Sequence, residues 1–220
     1  MKILITSGAT REPLDSLRFI TNFSTGVTGA LLADFMAESG HEVTQLAGHG
    51  AQLPRIVRDV TYFESFDDLN EKIKTKLSTY KYDVVIHLAA VSDYSVENIT
   101  TSVDQAPSKA GGKLHSDQKL QVTLKPNFKI VEKLKSYSAS ALTVIAFKLT
   151  ATEDLQEQKT AIEKLTRNSE IDFVVHNDFV EIKKNGMHRF EIYKQDAVLK
   201  SGTTKLELAQ ALNEVLKENI

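Results

Sequence analysis

The sequence predicts an α/β fold, namely a doubly wound, Rossmann-like, mostly parallel sheet with helices on both faces and a C-terminal hairpin. Short apolar runs rich in Val and Ile alternate with helical stretches, which is typical of parallel strands buried on both faces. Long polar segments follow the first and the fourth of these runs. Open α/β sheets bind ligands at such strand ends, so the pattern also indicates a ligand-binding protein.

The N-terminal half of the chain predicts alternating strands and helices. Each predicted strand there is a short, mostly apolar run: 2–6, 42–47, 60–64 and 82–88. Residues 26–38 predict a helix that Gly40 ends. Residues 65–78 predict a second helix, because Ser65 is a suitable N-cap, acidic residues occupy the first turn and lysines follow.

The C-terminal half continues the alternation and then leaves it. Residues 142–147 and 172–176 predict two more strands, with a helix over 153–166 between them. A hairpin is predicted around 188–200, before a last amphipathic helix over 204–218.

Composition narrows the class of protein. With 220 residues, 41% of them hydrophobic and 25% charged, residues 1–220 suit one nucleotide-binding α/β domain that can bury a core without staples. The 27 basic and 29 acidic residues nearly balance, which argues against nucleic acid or an anionic membrane as a partner. No apolar run reaches the roughly 18 residues of a membrane span, and the N-terminus lacks a signal peptide, so we expect a cytoplasmic protein. The absence of cysteine excludes disulfides and thiolate chemistry.

The first polar segment, 7–25, is far longer than the roughly 2–6 residues usual for such loops. Only Gly8 stands where a dinucleotide fingerprint needs GxGxxG, which disfavours an ordinary NAD site. Ser24, Thr25 and Gly26 instead open the first helix, and hydroxyls with free backbone N–H groups there form an anion site. The alternative is an N-cap with a tight turn.

Two further sets of residues in these loops have the chemistry of a binding site. Arg18 and Asn22 predict a phosphate or carboxylate clamp and an amide that orients a reacting group; the alternative is a solvated Arg and a turn Asn. Ala89 and Ala90 let a ligand approach the backbone at a strand end. Asp93 is placed to accept from a hydroxyl or amide, or else to cap a helix.

A mobile strap is predicted around 95–119. Its two glycines, at 111 and 112, lie between Lys109 and Lys113, which suits a segment that folds over a phosphate ligand. The alternative is a flexible surface loop with solvated lysines. Residues 175–178 end a strand with polar groups, and here the alternative is a turn.

Motifs of several other classes are missing. The six histidines include no i, i+4 pair and no HExxH motif, so we expect no metal site built from this chain's side chains. No GxSxG elbow and no P-loop motif is present, which disfavours hydrolases and P-loop kinases.

Six strings in the sequence resemble motifs of phosphopantothenate–cysteine ligases, and they occur in the family's order over residues 1 to about 180. They are SGATREPLD, RFITNFSTG, AAVSDY, LKPNFKI, AFKL and VHND. The first two are the most specific. The resemblance implies a stand-alone synthetase of coenzyme A biosynthesis. It would activate 4'-phosphopantothenate as an acyl-cytidylate and join it to cysteine, giving 4'-phosphopantothenoylcysteine, CMP and pyrophosphate. It also implies CTP as co-substrate, Mg²⁺ and a homodimer. AFKL looks more like the eukaryotic pattern, which leaves ATP open.

The resemblance also implies roles for individual residues. Asn22 would lie near the acyl carbonyl, and Arg18 would reach the phosphopantothenate phosphate in the partner subunit. Lys113 would be the catalytic strap lysine, with Lys109 as the competing alignment. The residues that would contact the pantothenate arm are Ala89, Ala90 and Asp93. The residues expected to contact the nucleotide are Gly8, Ser24, Thr25, Gly26, Asp93, Lys113, Asn127 and Phe147.

Two departures from the family pattern concern the nucleotide. Val27 stands where bacterial members have a lysine, and residues 127–130 read NFKI where the family has NPDI. The alternative function is a Rossmann-like nucleotide-binding sensor without ligase chemistry. A short-chain dehydrogenase is disfavoured, because Tyr80, Tyr82 and Tyr94 have no lysine four residues on.

Overall fold

The computed structural model describes residues 1–101 and 119–220. Its strands, numbered along the chain, are β1 (Lys2–Ser7), β2 (Arg11–Pro13), β3 (Phe19–Thr21), β4 (Glu42–Gly48), β5 (Val60–Phe63), β6 (Val84–His87), β7 (Tyr94–Thr101), β8 (Leu120–Pro126), β9 (Thr143–Thr150), β10 (Phe173–Asp178), β11 (Phe190–Lys194) and β12 (Ala197–Gly202). Its helices are α1 (Val27–Glu38), α2 (Phe66–Thr79), α3 (Leu134–Tyr137), α4 (Leu155–Thr166), α5 (Phe179–Asn185) and α6 (Lys205–Asn219). A 3-10 turn, Ile130–Lys133, precedes α3.

The predicted α/β fold is confirmed. Within the described ranges, the central sheet has eight strands in the order β12-β11-β10-β9-β6-β1-β4-β5. Six neighbouring strands of this sheet are parallel, namely β10, β9, β6, β1, β4 and β5. Strands β11 and β12 form the predicted antiparallel hairpin at its edge. From β1 the chain winds outward to β4 and β5, then returns to β6 on the other side of β1. This reversal is a topological switch point, where open sheets bind ligands.

The sheet is buried on both faces. Side chains alternate along β1, so that Ile3 and Ile5 belong to the core cluster that includes α1 and α6. Leu4, between them, belongs to the second cluster, beneath α2 and α3. Such two-sided burial explains why these strands read as continuous apolar runs.

Two polar segments contain structure that the sequence did not predict. Residues 95–101, predicted as part of the strap, instead belong to β7, which pairs with β8 in an antiparallel hairpin. The first loop holds a smaller hairpin of β2 and β3. Asp93 precedes a strand, so the alternative in which it caps a helix is wrong. The strap residues Lys109 and Lys113, with the glycines between them, lie outside the described residues.

Helix α1 packs very closely against the end of β1. A Cβ atom added at Gly29 would lie 2.3 Å from Cβ of Ser7, nearer than side-chain atoms approach one another. Both residues are buried. The lack of a side chain at Gly29 therefore sets how near the first turn of α1 comes to the switch point.

We expect Gly29→Ala to lower the free energy of unfolding by about 1–3 kcal/mol, because the new methyl group must displace Ser7. Helix propensity alone would raise the free energy of unfolding by about 1 kcal/mol, because alanine favours a helix more than glycine does. Urea unfolding measures the change, with Thr28→Ala in the same turn as the control for propensity. A Gly29→Ala protein as stable as the wild type would contradict this contact.

Candidate functional site

A cleft of about 590 Å³ opens at the switch point, beyond the carboxyl ends of β1, β6 and β9. The start of α1 forms one wall, and the 3-10 turn before α3 forms another. The predicted residues that line it are Gly8, Ser24, Thr25, Gly26, Ala89, Ala90, Asp93 and Phe147. The structure thus brings together residues from four separate stretches of the sequence.

The loops that follow β1 and β6 pair with each other across the floor of the cleft. Ala9 and Ala90 form a parallel bridge. The N–H of Ala90 donates to the carbonyl of Gly8 at 2.8 Å, and the N–H of Ser92 donates to Thr10 Oγ1 at 2.9 Å. These bonds fix two small residues, Ala89 and Ala90, where a ligand can lie against the backbone.

The start of α1 has the geometry of an anion site. Gly26 is its N-cap, with a left-handed φ of 73°, and no side chain caps the helix. The alternative of an N-cap with a tight turn is confirmed in part, since Gly26 is the N-cap in a left-handed turn, but the hydroxyls of Ser24 and Thr25 do not cap the helix. Because the first N–H groups of a helix lack intrahelical partners, they and the helix dipole favour a negative charge here.

Arg18 and Asn22 lie on the β2–β3 hairpin, and neither lines the cleft of its own chain. Asn22 is at its edge, since Nδ2 donates to the carbonyl of Val91 at 3.1 Å. Arg18 donates through Nε and Nη2 to Asp15 Oδ2, at 3.0 and 2.6 Å. The other oxygen of Asp15 accepts backbone N–H groups, including that of Arg18 at 2.7 Å. The sequence analysis missed Asp15, which orients the guanidinium.

Asn127 does not line the cleft either. Its Nδ2 donates to the carbonyl of Ser92 at 3.1 Å, and its N–H donates to the carbonyl of Asp93 at 2.8 Å. Its Oδ1 lies 3.0 Å from Ser95 Oγ. Asn127 therefore holds the segment that carries Asp93, and its expected contact with the nucleotide stays a prediction.

Charged residues that the sequence did not single out surround the cleft. Lys129 pairs with Asp93 at its mouth, where both side chains are more than half exposed. Lys148, Lys164 and Glu132 also line it. The only signal for Lys129 and Lys148 was their place in the strings NFKI and AFKL.

Two histidines of the cleft are held neutral. His87, the last residue of β6, is buried, and burial lowers its pKa to about 4. His188 also lines the cleft, and burial, with the charge of Lys205, lowers its pKa to about 4. Both are therefore uncharged at neutral pH.

A second cleft, of about 880 Å³, lies between α4, α5 and β11. Residues 176–178 of the predicted strand-end motif line it, and Asp178 caps α5 by accepting the N–H of Glu181 at 3.0 Å. Its charged groups pair with each other, as Arg189 does with Glu181 and Glu191. The motif ends β10 and starts α5, and one of its residues, Asn177, also lines the cleft at the switch point.

The described ranges contain no group of three or more His, Asp or Glu side chains that could hold a metal ion. None of the helices in these ranges is both long and apolar enough to cross a membrane.

A family model described as the DNA/pantothenate metabolism flavoprotein C-terminal domain matches residues 1–219. The coenzyme A biosynthesis bifunctional protein CoaBC of Thermococcus kodakarensis is 32% identical over 214 residues, which are 96% of this chain and 49% of that protein. This chain therefore spans about half the length of that relative.

Solved structures share the whole fold. The DNA/pantothenate metabolism flavoprotein from Streptococcus pneumoniae is 27% identical, with a TM-score of 0.86 over 100% of both chains. The C-terminal domain of a CoaBC protein is 25% identical, with a TM-score of 0.70 over 99% of this chain and 94% of the other.

The neutral state of His87 makes stability depend on pH. Its pKa of about 4 in the folded protein lies below the ordinary histidine value of 6.5, so the unfolded chain binds more protons between these two pH values. The free energy of unfolding should therefore fall as the pH is lowered from about 6.5 to 4, by ~3 kcal/mol for this group.

Urea unfolding across this range measures the effect, and His87→Gln should flatten it. In His87→Gln, the titration of His188 retains part of this dependence of stability on pH. Comparing both proteins at pH 7.5 removes any change in stability that does not depend on pH. Equal slopes for the two proteins would contradict a neutral His87.

Proposed function

This chain belongs to the DNA/pantothenate metabolism flavoprotein C-terminal domain family, and we propose that it is a phosphopantothenate–cysteine ligase. The observation that carries this proposal is the gathering of Gly8, Gly26, Ala89, Ala90 and Phe147 around one cleft at the switch point. These residues belong to the strings that resemble the ligase family. The similarity to CoaBC of Thermococcus kodakarensis supports the same assignment.

In the proposed first step, the carboxylate of 4'-phosphopantothenate attacks the α-phosphate of CTP. An acyl-cytidylate forms and pyrophosphate leaves. The uncapped start of α1 offers N–H donors to phosphate oxygens, and the lysines around the cleft add positive charge. Mg²⁺ would accompany the nucleotide as the counter-ion of its phosphates and would neutralise part of their charge.

In the proposed second step, the amine of cysteine attacks the acyl carbon. CMP leaves, the amine loses a proton and the amide bond forms. Asn22 at the cleft edge supplies an uncharged amide that can hydrogen-bond the acyl oxygen without itself attacking the intermediate. This role requires Nδ2 to exchange the carbonyl of Val91 for the substrate.

We propose a homodimer in which Arg18 acts in the partner subunit. Arg18 lies outside the cleft of its own chain, on a hairpin with unusually apolar surroundings. Leu17 is 79% exposed and Phe23 87% exposed, and Phe19 and Ile20 are also exposed. A patch of this kind marks a protein interface, and the ion pair with Asp15, in which Nε and Nη2 both donate to one carboxylate oxygen, orients the guanidinium.

The proposed reaction is tested by pyrophosphate release from CTP or ATP, with 4'-phosphopantothenate and with or without cysteine. We expect release with CTP that needs phosphopantothenate, and CMP once cysteine is added. Equal or greater release with ATP would overturn CTP as the preferred nucleotide. Nucleotide binding without any release would favour the alternative, a sensor without ligase chemistry.

Replacement of Asn22 by Asp should cut kcat by about 100- to 1000-fold, because a charge beside the substrate carboxylate repels it and an amide donor is lost. Thermal unfolding checks that the variant stays folded, and Thr21→Ser on the same hairpin is the control. An Asn22→Asp enzyme with near-normal kcat would remove Asn22 from the mechanism.

Arg18→Ala should raise KM for 4'-phosphopantothenate far more than KM for cysteine, because a charge-assisted clamp is lost. Mixing Arg18→Ala subunits with Asn22→Asp subunits should restore part of the activity, since a mixed dimer contains one intact site. If subunit exchange is verified and no activity returns, Arg18 acts within its own chain.

A further inference from the structure

The floor of the cleft contains a buried histidine that the proposed mechanism leaves unused. His87 ends β6, and Thr6 lies opposite it in the register of β1. Both side chains are buried at the switch point. His87 lines the cleft, next to the segment that carries Ala89 and Ala90.

The hydrogen bonds of Thr6 determine which nitrogen of His87 carries the proton. The N–H of Ala89 donates to Thr6 Oγ1 at 3.3 Å, so this oxygen already accepts one bond. The same oxygen lies 2.8 Å from His87 Nδ1. Among the described residues, Nδ1 is the only acceptor within reach of the Thr6 hydroxyl hydrogen. A Thr6 hydroxyl that donates to Nδ1 gives its hydrogen an acceptor and places the proton of the neutral ring on Nε2.

Nε2–H of His87 is left available to a ligand. None of the described residues accepts a hydrogen bond from it, yet it is not among the side-chain atoms that are both buried and without a partner. It must therefore keep some surface that the cleft can reach. Burial keeps the ring neutral at neutral pH, so Nε2–H acts as a donor and cannot act as a base.

The surroundings of His87 favour an anionic acceptor. The uncapped start of α1 and three lysines, Lys129, Lys148 and Lys164, line the same cleft. Asp93, which pairs with Lys129, and Glu132 also line the cleft, so Lys148, Lys164 and the helix start carry the attraction for an anion, and the neutral N–H of His87 adds a hydrogen-bond donor at the floor.

We propose that His87 Nε2–H donates a hydrogen bond to an anionic oxygen of the ligand in this cleft, and that Thr6 is the positioning residue that fixes its tautomer. The identity of the ligand rests on the proposed function. A carboxylate oxygen of 4'-phosphopantothenate and a phosphate oxygen of the nucleotide share this chemistry, and binding each alone distinguishes them.

The tautomer is measured by nitrogen-15 NMR of histidine-labelled protein, with His87→Gln to assign the signals. We expect the Nε2–H form in the wild type and its loss in Thr6→Val. Separate additions of 4'-phosphopantothenate, CTP and pyrophosphate should shift the Nε2–H signal for at least one of them. An Nδ1–H form in the wild type, or no shift with all three anions, overturns the proposal.

Two variants test the contribution of Nε2–H to affinity by calorimetry, without turnover. Gln places an amide donor near the position of Nε2, whereas Asn places it near Nδ1. We expect His87→Gln to bind the shifting ligand within about threefold of the wild type, and His87→Asn to bind it at least about tenfold more weakly. Equal affinities of two folded variants would overturn the proposal.

These results also separate the inference from the proposed function. A ligand-induced shift in a protein without ligase activity would reject the proposed function and leave the role of His87 intact. Ligase activity without any ligand-induced shift of the Nε2–H signal would support the proposed function and reject the role of His87. If both variants of His87 unfold, the NMR comparison of the wild type with Thr6→Val still decides.

Discussion

The carboxylate of Glu12, which is 3% exposed, accepts the N–H of Phe66 at 2.9 Å and lies 2.8 Å from Ser95 Oγ. A buried carboxylate is costly without such partners, and the start of α2 is a favourable place for it. Through these two bonds Glu12 joins β2 to the helix layer and to β7. Glu12 thus links the hairpin that carries Arg18 and Asn22 to the hairpin that begins after Asp93, and the bonds of Asn22 to Val91 and of Asn127 to Asp93 add to this link.

The central strands were predictable because the burial of both sheet faces leaves a direct record in the sequence, as in β1 and β10. The β2–β3 and β7–β8 hairpins left almost no such record in the sequence. Strands β2 and β3 have three residues each, too few to show an alternation. In β7, only Ser95 and Ile99 are buried, so the polar and apolar residues do not alternate regularly. Helices α3 and α5 are likewise shorter than two helical turns.

The cleft was predictable where its residues follow a strand or open a helix, since small and polar residues there have few other uses. Gly8, Gly26 and Ala90 are such residues. The pair of His87 and Thr6 was not predictable, because nothing in the neighbouring sequence distinguishes a buried polar pair from two ordinary strand residues. Their relation arises only when β1 and β6, about 80 residues apart in sequence, become neighbours in register. The same holds for Asp15, whose role depends on a turn that returns the chain to Arg18.

The missing cap of α1 has a consequence for the energetics of the apo protein. Because Gly26 is the N-cap and no side chain bonds the first N–H groups, this helix end is less favourable than one capped by Ser or Asp by a few tenths of a kcal/mol. A bound phosphate would complete the helix in place of a Ser or Asp side chain. Occupancy of the cleft by a phosphate would therefore be thermodynamically linked to the persistence of the first turn of α1.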